Sequence, residues 1–243
     1  VRKIIFIGYD RREGDAFAVA VHSIRRRLNE PIPIRGMLLS EAQRSGVYRR
    51  PTVRDGNHLV DLLSVTDDYD GRLSTEHANL RFLVPHIADA DCWAMFADSD
   101  ILARADVSQA FDDLDPTKAL YCVKHDYAPT DTVKMDGQEQ TAYPRKNWSS
   151  VMIFNCVHPS NRGLTLELIN TVPGRDLHRF CWLGEEEIGE LDPSWNWLVG
   201  HSDVDIDPHI VHFTTGLPSM PGYENVEYAD EWREELTRAI QRP

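Results

Sequence analysis

A chain of 243 residues, 42% hydrophobic and 27% charged, is long enough to bury one α/β core and has an ordinary globular composition. Its net charge of −13, from 39 acidic against 26 basic residues, argues against a nucleic-acid partner, and it demands a cation or a local basic pocket if the substrate is anionic. No run approaches the roughly 18 apolar residues of a membrane helix, and no signal-peptide pattern precedes the first strand-like run, so a cytoplasmic location is the expectation.

Residues 2–9 read as a buried first strand ending in Gly8-Tyr9-Asp10. Apolar residues at helical spacing (Phe17, Ala20, Val21, Ile24, Leu28) then predict a helix over 16–28, with arginines in its last turn where the helix dipole favours them. A second strand over 34–39 makes this a βαβ unit and predicts a parallel sheet. Residues 40–65 read as a loop with one short element. Ser74 is placed to cap a helix over 75–87, and Cys92–Ala97 is a short apolar strand running straight into Asp98-Ser99-Asp100. Further strands are expected at 119–124 and 151–157, with a polar segment at 126–144 between them. A helix at 161–171, a strand at 209–214 and a closing amphipathic helix at 230–240 complete the chain. The four cysteines, Cys92, Cys122, Cys156 and Cys181, form no CxxC pair and read as buried free thiols.

The strongest chemical signal is Asp98-Ser99-Asp100. Ligands of α/β sheets bind at the carboxyl ends of the strands, and alternate residues of an extended chain point the same way, so the two carboxylates can converge. A divalent cation relieves the repulsion between them. The same pair in isolation reads equally as a turn or a helix cap. His212, in the strand-like run Ile210-Val211-His212-Phe213, gains meaning as an imidazole ligand only alongside that pair; alone it reads as a core histidine. Tyr9-Asp10-x-Arg12 offers a ring and a carboxylate for a base and ribose, or merely a helix-entry turn. Trp182, Trp195 and Trp197 are either sugar-stacking platforms or core. No G-x-G-x-x-G follows the first strand and no P-loop is present, which disfavours a dinucleotide dehydrogenase or P-loop enzyme.

Taken in order, Ile5-Phe6-Ile7-Gly8-Tyr9-Asp10, Ser74-x6-Arg81, Phe96-Ala97-Asp98-Ser99-Asp100, Asn147-Trp148-Ser149-Ser150-Val151-Met152, Trp195-Asn196 and His212-x3-Gly216 resemble the GT-A-fold glycosyltransferases, most of all the family 8 type. The likeness runs from about residue 3 to residue 223 and implies a single Rossmann-like GT-A domain over 1–243, with a mostly parallel twisted sheet flanked by helices. It further implies an enzyme that moves a sugar from a nucleoside-diphosphate donor, UDP-linked, to an acceptor hydroxyl with retention. Carried over by residue, Asp98, Asp100 and His212 would ligate Mn²⁺ or Mg²⁺. Tyr9, Asp10, Arg12, Arg81, Ser150 and Gly216 would line the nucleotide and diphosphate site. Asn147 and Glu186 would meet the donor sugar, with Asp98, Asp100 and Arg81 beside the reacting bond.

Two positions depart from the family pattern. No Lys follows His212 in 217–222 to meet the diphosphate, leaving that charge to the metal, Arg81, Arg12 or the Arg145-Lys146 pair, and Ser149-Ser150 stands where a pair ending in Gly is usual. Two alternatives follow: a non-catalytic sugar-nucleotide or glycan-binding module of the same fold, and a phosphohydrolase using Asp98 as nucleophile.

Overall fold

The computed structural model describes residues 1–88, 91–125, 145 and 147–241; the polar segment expected at 126–144, and Lys146, lie outside the described residues. In chain order the elements are β1 (Arg2–Gly8), α1 (Gly14–Arg27), β2 (Ile34–Met37), α2 (Leu39–Arg44), β3 (Thr52–Asp55), β4 (His58–Asp61), β5 (Arg72–Leu73), α3 (Val84–Ile87), β6 (Cys92–Ala97), β7 (Ile101–Ala103), β8 (Leu120–Cys122), β9 (Val151–Asn155), α4 (Leu166–Thr171), α5 (Gly174–His178), β10 (Ile188–Glu190), β11 (Trp197–Leu198), β12 (Ile210–His212) and α6 (Ala229–Ile240).

The main sheet has the order β10-β8-β9-β6-β1-β2, with β9 alone antiparallel to its neighbours. This is the mostly parallel sheet flanked by helices that the βαβ reading predicts. Both faces are covered, so β1 and β6 are apolar at every inner position rather than alternating. Ile5, Ile7, Met95 and Ala97 face α1, while Ile4, Phe6, Ala94 and Phe96 face the side of α3, α4 and α5. A second, three-stranded sheet, β11-β12-β7, packs against α1 and α6 through Leu102, Val211, Trp197 and Trp232.

Three expectations need correction. Residues 40–65 are not mainly loop: α2 is followed by β3 and β4, which form an antiparallel hairpin, with β5 as the third strand of that small sheet. The helix expected at 75–87 is not one helix. Ser74 caps nothing there; turns lead into a 3-10 segment, Leu80–Leu83, and α3 begins only at Val84. Pro85 at the first or second helical position suits a late start, because it lacks the N–H that an earlier turn would need. The helix at 161–171 likewise splits into a 3-10 turn, Pro159–Gly163, and α4, which Thr165 caps through its hydroxyl on Leu168 N at 3.0 Å. None of the four cysteines is in a disulfide; Cys92 and Cys122 are buried as expected, Cys156 is half-buried and Cys181 exposed.

Candidate metal centre and nucleotide cleft

The centre forms where β6 runs out at the carboxyl edge of the main sheet. After Ala97 the chain turns through Asp98, Ser99 and Asp100 into β7, with Asp98 N bonded to Ser150 O at 2.9 Å. The second sheet delivers the imidazole. β12 pairs antiparallel with β7, His212 sits opposite Ile101, and Phe213 N donates to Asp100 O at 2.9 Å. One ligand atom each from Asp98, Asp100 and His212 then lie within 4.8 Å of one another, a group that can hold a metal ion. His212 is 3% exposed while the two carboxylate side chains keep 14% and 23%, so the cluster is closed behind and open in front.

The two carboxylates are supported differently. Asp98 is clamped by Arg81, with Nη2 2.7 Å from Oδ1 and Nη1 3.2 Å from Oδ2, and His77 Nε2 lies 3.0 Å from Oδ1. Burial opposes ionisation of Asp98, but the guanidinium and the two nearby imidazoles outweigh it and hold its carboxyl well below the ordinary range. Asp100 has no such clamp. Its Oδ1 is buried without an aligned donor, although His212 Nε2 stands 3.2 Å away. Burial works against a charged His212, yet Asp100 and Asp98 raise its pKa. An acceptor-rich pair facing each other at that distance calls for a shared proton or a cation between them, and two oxygens with one nitrogen are a donor set suited to Mn²⁺ or Mg²⁺.

Asn196 holds the imidazole from behind, its Oδ1 3.0 Å from His212 Nδ1. His77, Asn196, His125 and Glu13 are functional candidates that the pattern reading gave no role. His77 is found only through Gly8: a Cβ there would meet the His77 ring at 2.3 Å, so the glycine makes room for the ring beside the acidic turn. Glu13 accepts a bond from Ser99 Oγ at 3.0 Å; burial, then the nearby Asp100, pushes its carboxyl up to about 7.

Other expected contacts fall elsewhere. Asp10 is fully buried and accepts from Arg12 N, the Arg12 guanidinium and Glu76 N, so it organises the turn after β1 rather than presenting a free carboxylate. Arg12 is engaged by Asp10 and the Ser74 carbonyl, and Arg81 by Asp98 and the Ser149 and Ala78 carbonyls. Arg145 reaches Glu185 and the Arg179 carbonyl. None of these three arginines is a spare cation for a diphosphate. Glu186 is exposed, and its neighbour Glu187 pairs with Ala119 at the start of β8, the edge of the sheet away from Asp98. Glu185, one residue earlier, is the carboxylate that reaches towards Lys124 and Arg145. Gly216 does allow a close approach, but by the Tyr223 ring, 2.8 Å from where a Cβ would stand, rather than by a ligand. Trp195 and Trp197 are buried in the core and Trp182 packs edge-on to Phe82 and Phe180, so the core reading of these rings holds.

Tyr9 stays half-buried at the end of β1, edge-on to Phe17 at 5.2 Å. Asn147 sits in the left-handed region at φ 64°, a conformation Asn tolerates, and its Nδ2 is buried without a partner. Ser150 Oγ is behind it, bonded to Asn147 O at 2.7 Å and to Asn196 Nδ2 at 2.8 Å.

Compared with known proteins, the chain is 42% identical over 238 residues to Protein CDI of Arabidopsis thaliana, covering 96% of this chain and 85% of that protein. The chain belongs to the Protein CDI family. No family model matches it. Among solved structures it resembles the galactosyltransferase LgtC in complex with donor and acceptor sugar analogues, at TM-score 0.58 and 15% identity over 99% of this chain and 97% of that one. It also resembles the glycosyltransferase GlyE of Streptococcus pneumoniae (TM-score 0.59, 13% identity, 97% of this chain) and the bifunctional glycosyltransferase WbbM (0.59, 13%, 99%). It spans 61% of the GlyE chain and 51% of the WbbM chain. At such identities the likeness establishes the fold, which this family member shares with GT-A glycosyltransferases. Among the described residues, no helix is long and apolar enough to cross a membrane.

Proposed function

We propose that the chain is a metal-dependent glycosyltransferase, one domain over 1–243 and a divergent branch of the family 8 type. It would move a hexosyl group from a UDP-sugar to an acceptor hydroxyl with retention. One observation carries the reading: a half-open cluster of two carboxylates and an imidazole, with an unsatisfied buried acceptor, at the carboxyl edge of a GT-A sheet.

Asp98, Asp100 and His212 would hold Mn²⁺ or Mg²⁺, which when bound supplies Lewis-acid stabilisation of the charge on a departing diphosphate. The need for it is local. The arginines expected to meet that charge are already engaged, and the surroundings are acidic. Arg81 keeps Asp98 ionised and oriented, and so acts on the reaction through Asp98. Tyr9 offers a ring for the base, and Glu13, bonded to Ser99 of the acidic turn, would meet the ribose. The partnerless Asn147 Nδ2 is a donor for the sugar or its phosphate, with Ser150 supporting the loop. Asp98 is a poor phosphohydrolase nucleophile because both its oxygens face cationic or ring N–H groups.

A thermal-shift screen of UDP-, GDP- and other nucleotide sugars, with and without Mn²⁺, tests this, since a ligand that binds only the folded state raises its midpoint. The expected result is a UDP-sugar shift that requires Mn²⁺ and vanishes in Asp100→Ala. Equal shifts in both proteins contradict the metal role, and binding without sugar turnover on any acceptor favours the non-catalytic module.

A further inference from the structure

Asn196 is fully buried at the end of the 3-10 turn Pro193–Asn196, and its side chain meets four groups. Oδ1 lies 3.0 Å from His212 Nδ1; Nδ2 lies 2.8 Å from Ser150 Oγ, 3.0 Å from His125 Nε2 and 3.3 Å from Asn147 O. A carboxamide has two ends of similar shape and opposite polarity, so the network must decide which way round it sits. Here it does. The Asn147 carbonyl can only accept. Ser150 Oγ already donates its proton to that same carbonyl, at 2.7 Å, and therefore accepts from Asn196. His125 Nε2 accepts or donates according to its own tautomer and so follows the amide rather than deciding it. Two acceptors, Ser150 Oγ and Asn147 O, thus draw the NH₂ end, and the oxygen is left facing His212.

An oxygen facing Nδ1 requires the proton on Nδ1. That leaves the Nε2 lone pair of neutral His212 on the side of Asp100, 3.2 Å away. The reversed amide would require the opposite tautomer and put an N–H where a metal ligand is needed. We propose that Asn196 is a positioning residue that sets the metal-binding tautomer of His212, and that Ser150, with Asn147, sets Asn196. The wall beside the centre would thereby tune metal affinity without touching the metal. The inference rests on the metal part of the reading above and not on the transfer reaction.

The test is the Mn²⁺ affinity of the purified full chain without nucleotide, by titration calorimetry. Asn196→Ala removes the acceptor and is expected to weaken Mn²⁺ about 10–100-fold, as loss of an outer-shell partner does. Asn196→Asp keeps an acceptor on His212, with the Ser150 hydroxyl turned from Asn147 O to donate to its other oxygen, so affinity should match wild type or exceed it. Ser150→Ala loosens the lock and should weaken Mn²⁺ a few-fold in the wild-type background. In Asn196→Asp it should change nothing, because a carboxylate has no wrong way round. A purely structural Asn196 predicts another order: the buried charge of Asn196→Asp would make it the worse variant in metal affinity as well as in thermal midpoint. Asn196→Asp as weak as Asn196→Ala, or Ser150→Ala equally weakening in both backgrounds, overturns the proposal. Wild type that binds no Mn²⁺ overturns it together with the metal role; wild type that binds Mn²⁺ but no nucleotide sugar sinks the transferase reading alone.

Discussion

Two buried ionic groups in this molecule are built from the same chemistry and finished differently. Arg50 and Asp61 join the hairpin sheet to the helices beyond it. Their ion pair is 2.5 Å long, both side chains have no exposure, and Asp61 also accepts from Ser64 Oγ at 2.6 Å. Arg50 Nη1 goes to the Ile169 and Val172 carbonyls at 2.5 and 2.8 Å, and Ser64 Oγ takes Gly174 N at 3.0 Å. That network is nearly closed: charge meets charge, and Arg50 Nε and the Oδ1 of the adjoining Asn79 are left without partners. Around Asp98 the network is half closed by Arg81 and His77, and then stops. Asp100 faces His212 across a gap, with Glu13 held nearby. A finished network stabilises the fold, whereas an unfinished one at a strand end leaves ligand positions free, at some cost to the apo protein.

The largest effects should fall on the closed network. Asp61→Ala strands a buried guanidinium and is expected to cost about 3–5 kcal/mol, measured as denaturant-unfolding free energy. A loss below about 1 kcal/mol would mean that this pair is not the clamp described. Asp100→Ala should do the reverse. It removes a carboxylate that Asp98 and Glu13 both repel, so stability without metal should stay within about 1 kcal/mol of wild type. Sugar transfer should nevertheless drop about 10²–10³-fold, the usual scale for losing one electrostatic stabiliser. Unfolding of Asp100→Ala, with Asp61→Ala unharmed, would invert the comparison.

How far this contrast was legible in the sequence depends on range. The acidic turn and its strand were readable because six apolar residues, Cys92–Ala97, run directly into Asp98. The βαβ start was readable from periodicity, whereas His212 was readable only alongside the acidic pair, since its apolar strand alone marks a core histidine. The supports were not. His77, in a turn with no 3.6-residue pattern to anchor it, carried no signal, and Arg81, in a 3-10 segment where a periodic helix was expected, entered only through the family resemblance and as a donor-site residue rather than the clamp on Asp98. Asp10 and Arg12 looked like free ligands because a local ion pair two residues apart leaves no mark on sequence pattern. Glu186 stays exposed, and in Glu185-Glu186-Glu187 only the fold tells which carboxylate turns towards Lys124 and Arg145. Short apolar strands are encoded locally; the partner of each charge is encoded by topology.

The smallest effect, and the sharpest probe of the unfinished side, is the pH dependence of Glu13. Its carboxyl is raised from 4.5 to about 7, by burial first and by Asp100 next. The folded state therefore holds this proton more tightly than the unfolded chain does. The contribution is complete below about pH 4.5 and is lost as pH rises through about 7, so metal-free protein should weaken across that window. A rise of that size caps the effect at about 3 kcal/mol, and solvent on the open side should bring it nearer 1–2. Neighbouring groups titrate too. His212 is raised and adds a slope of the same sign, while His125, depressed to about 4, adds the opposite one below its unfolded pKa. The quantity to measure is accordingly the difference between wild type and Glu13→Gln, in which the two histidines largely cancel. That difference should favour Glu13→Gln increasingly from pH 5 to pH 8 in chelator. It should shrink with saturating Mn²⁺, because a cation beside Asp100 removes much of the charge that kept Glu13 protonated. A difference flat with pH, or unmoved by Mn²⁺, would place Glu13 outside the electrostatic reach of the cluster.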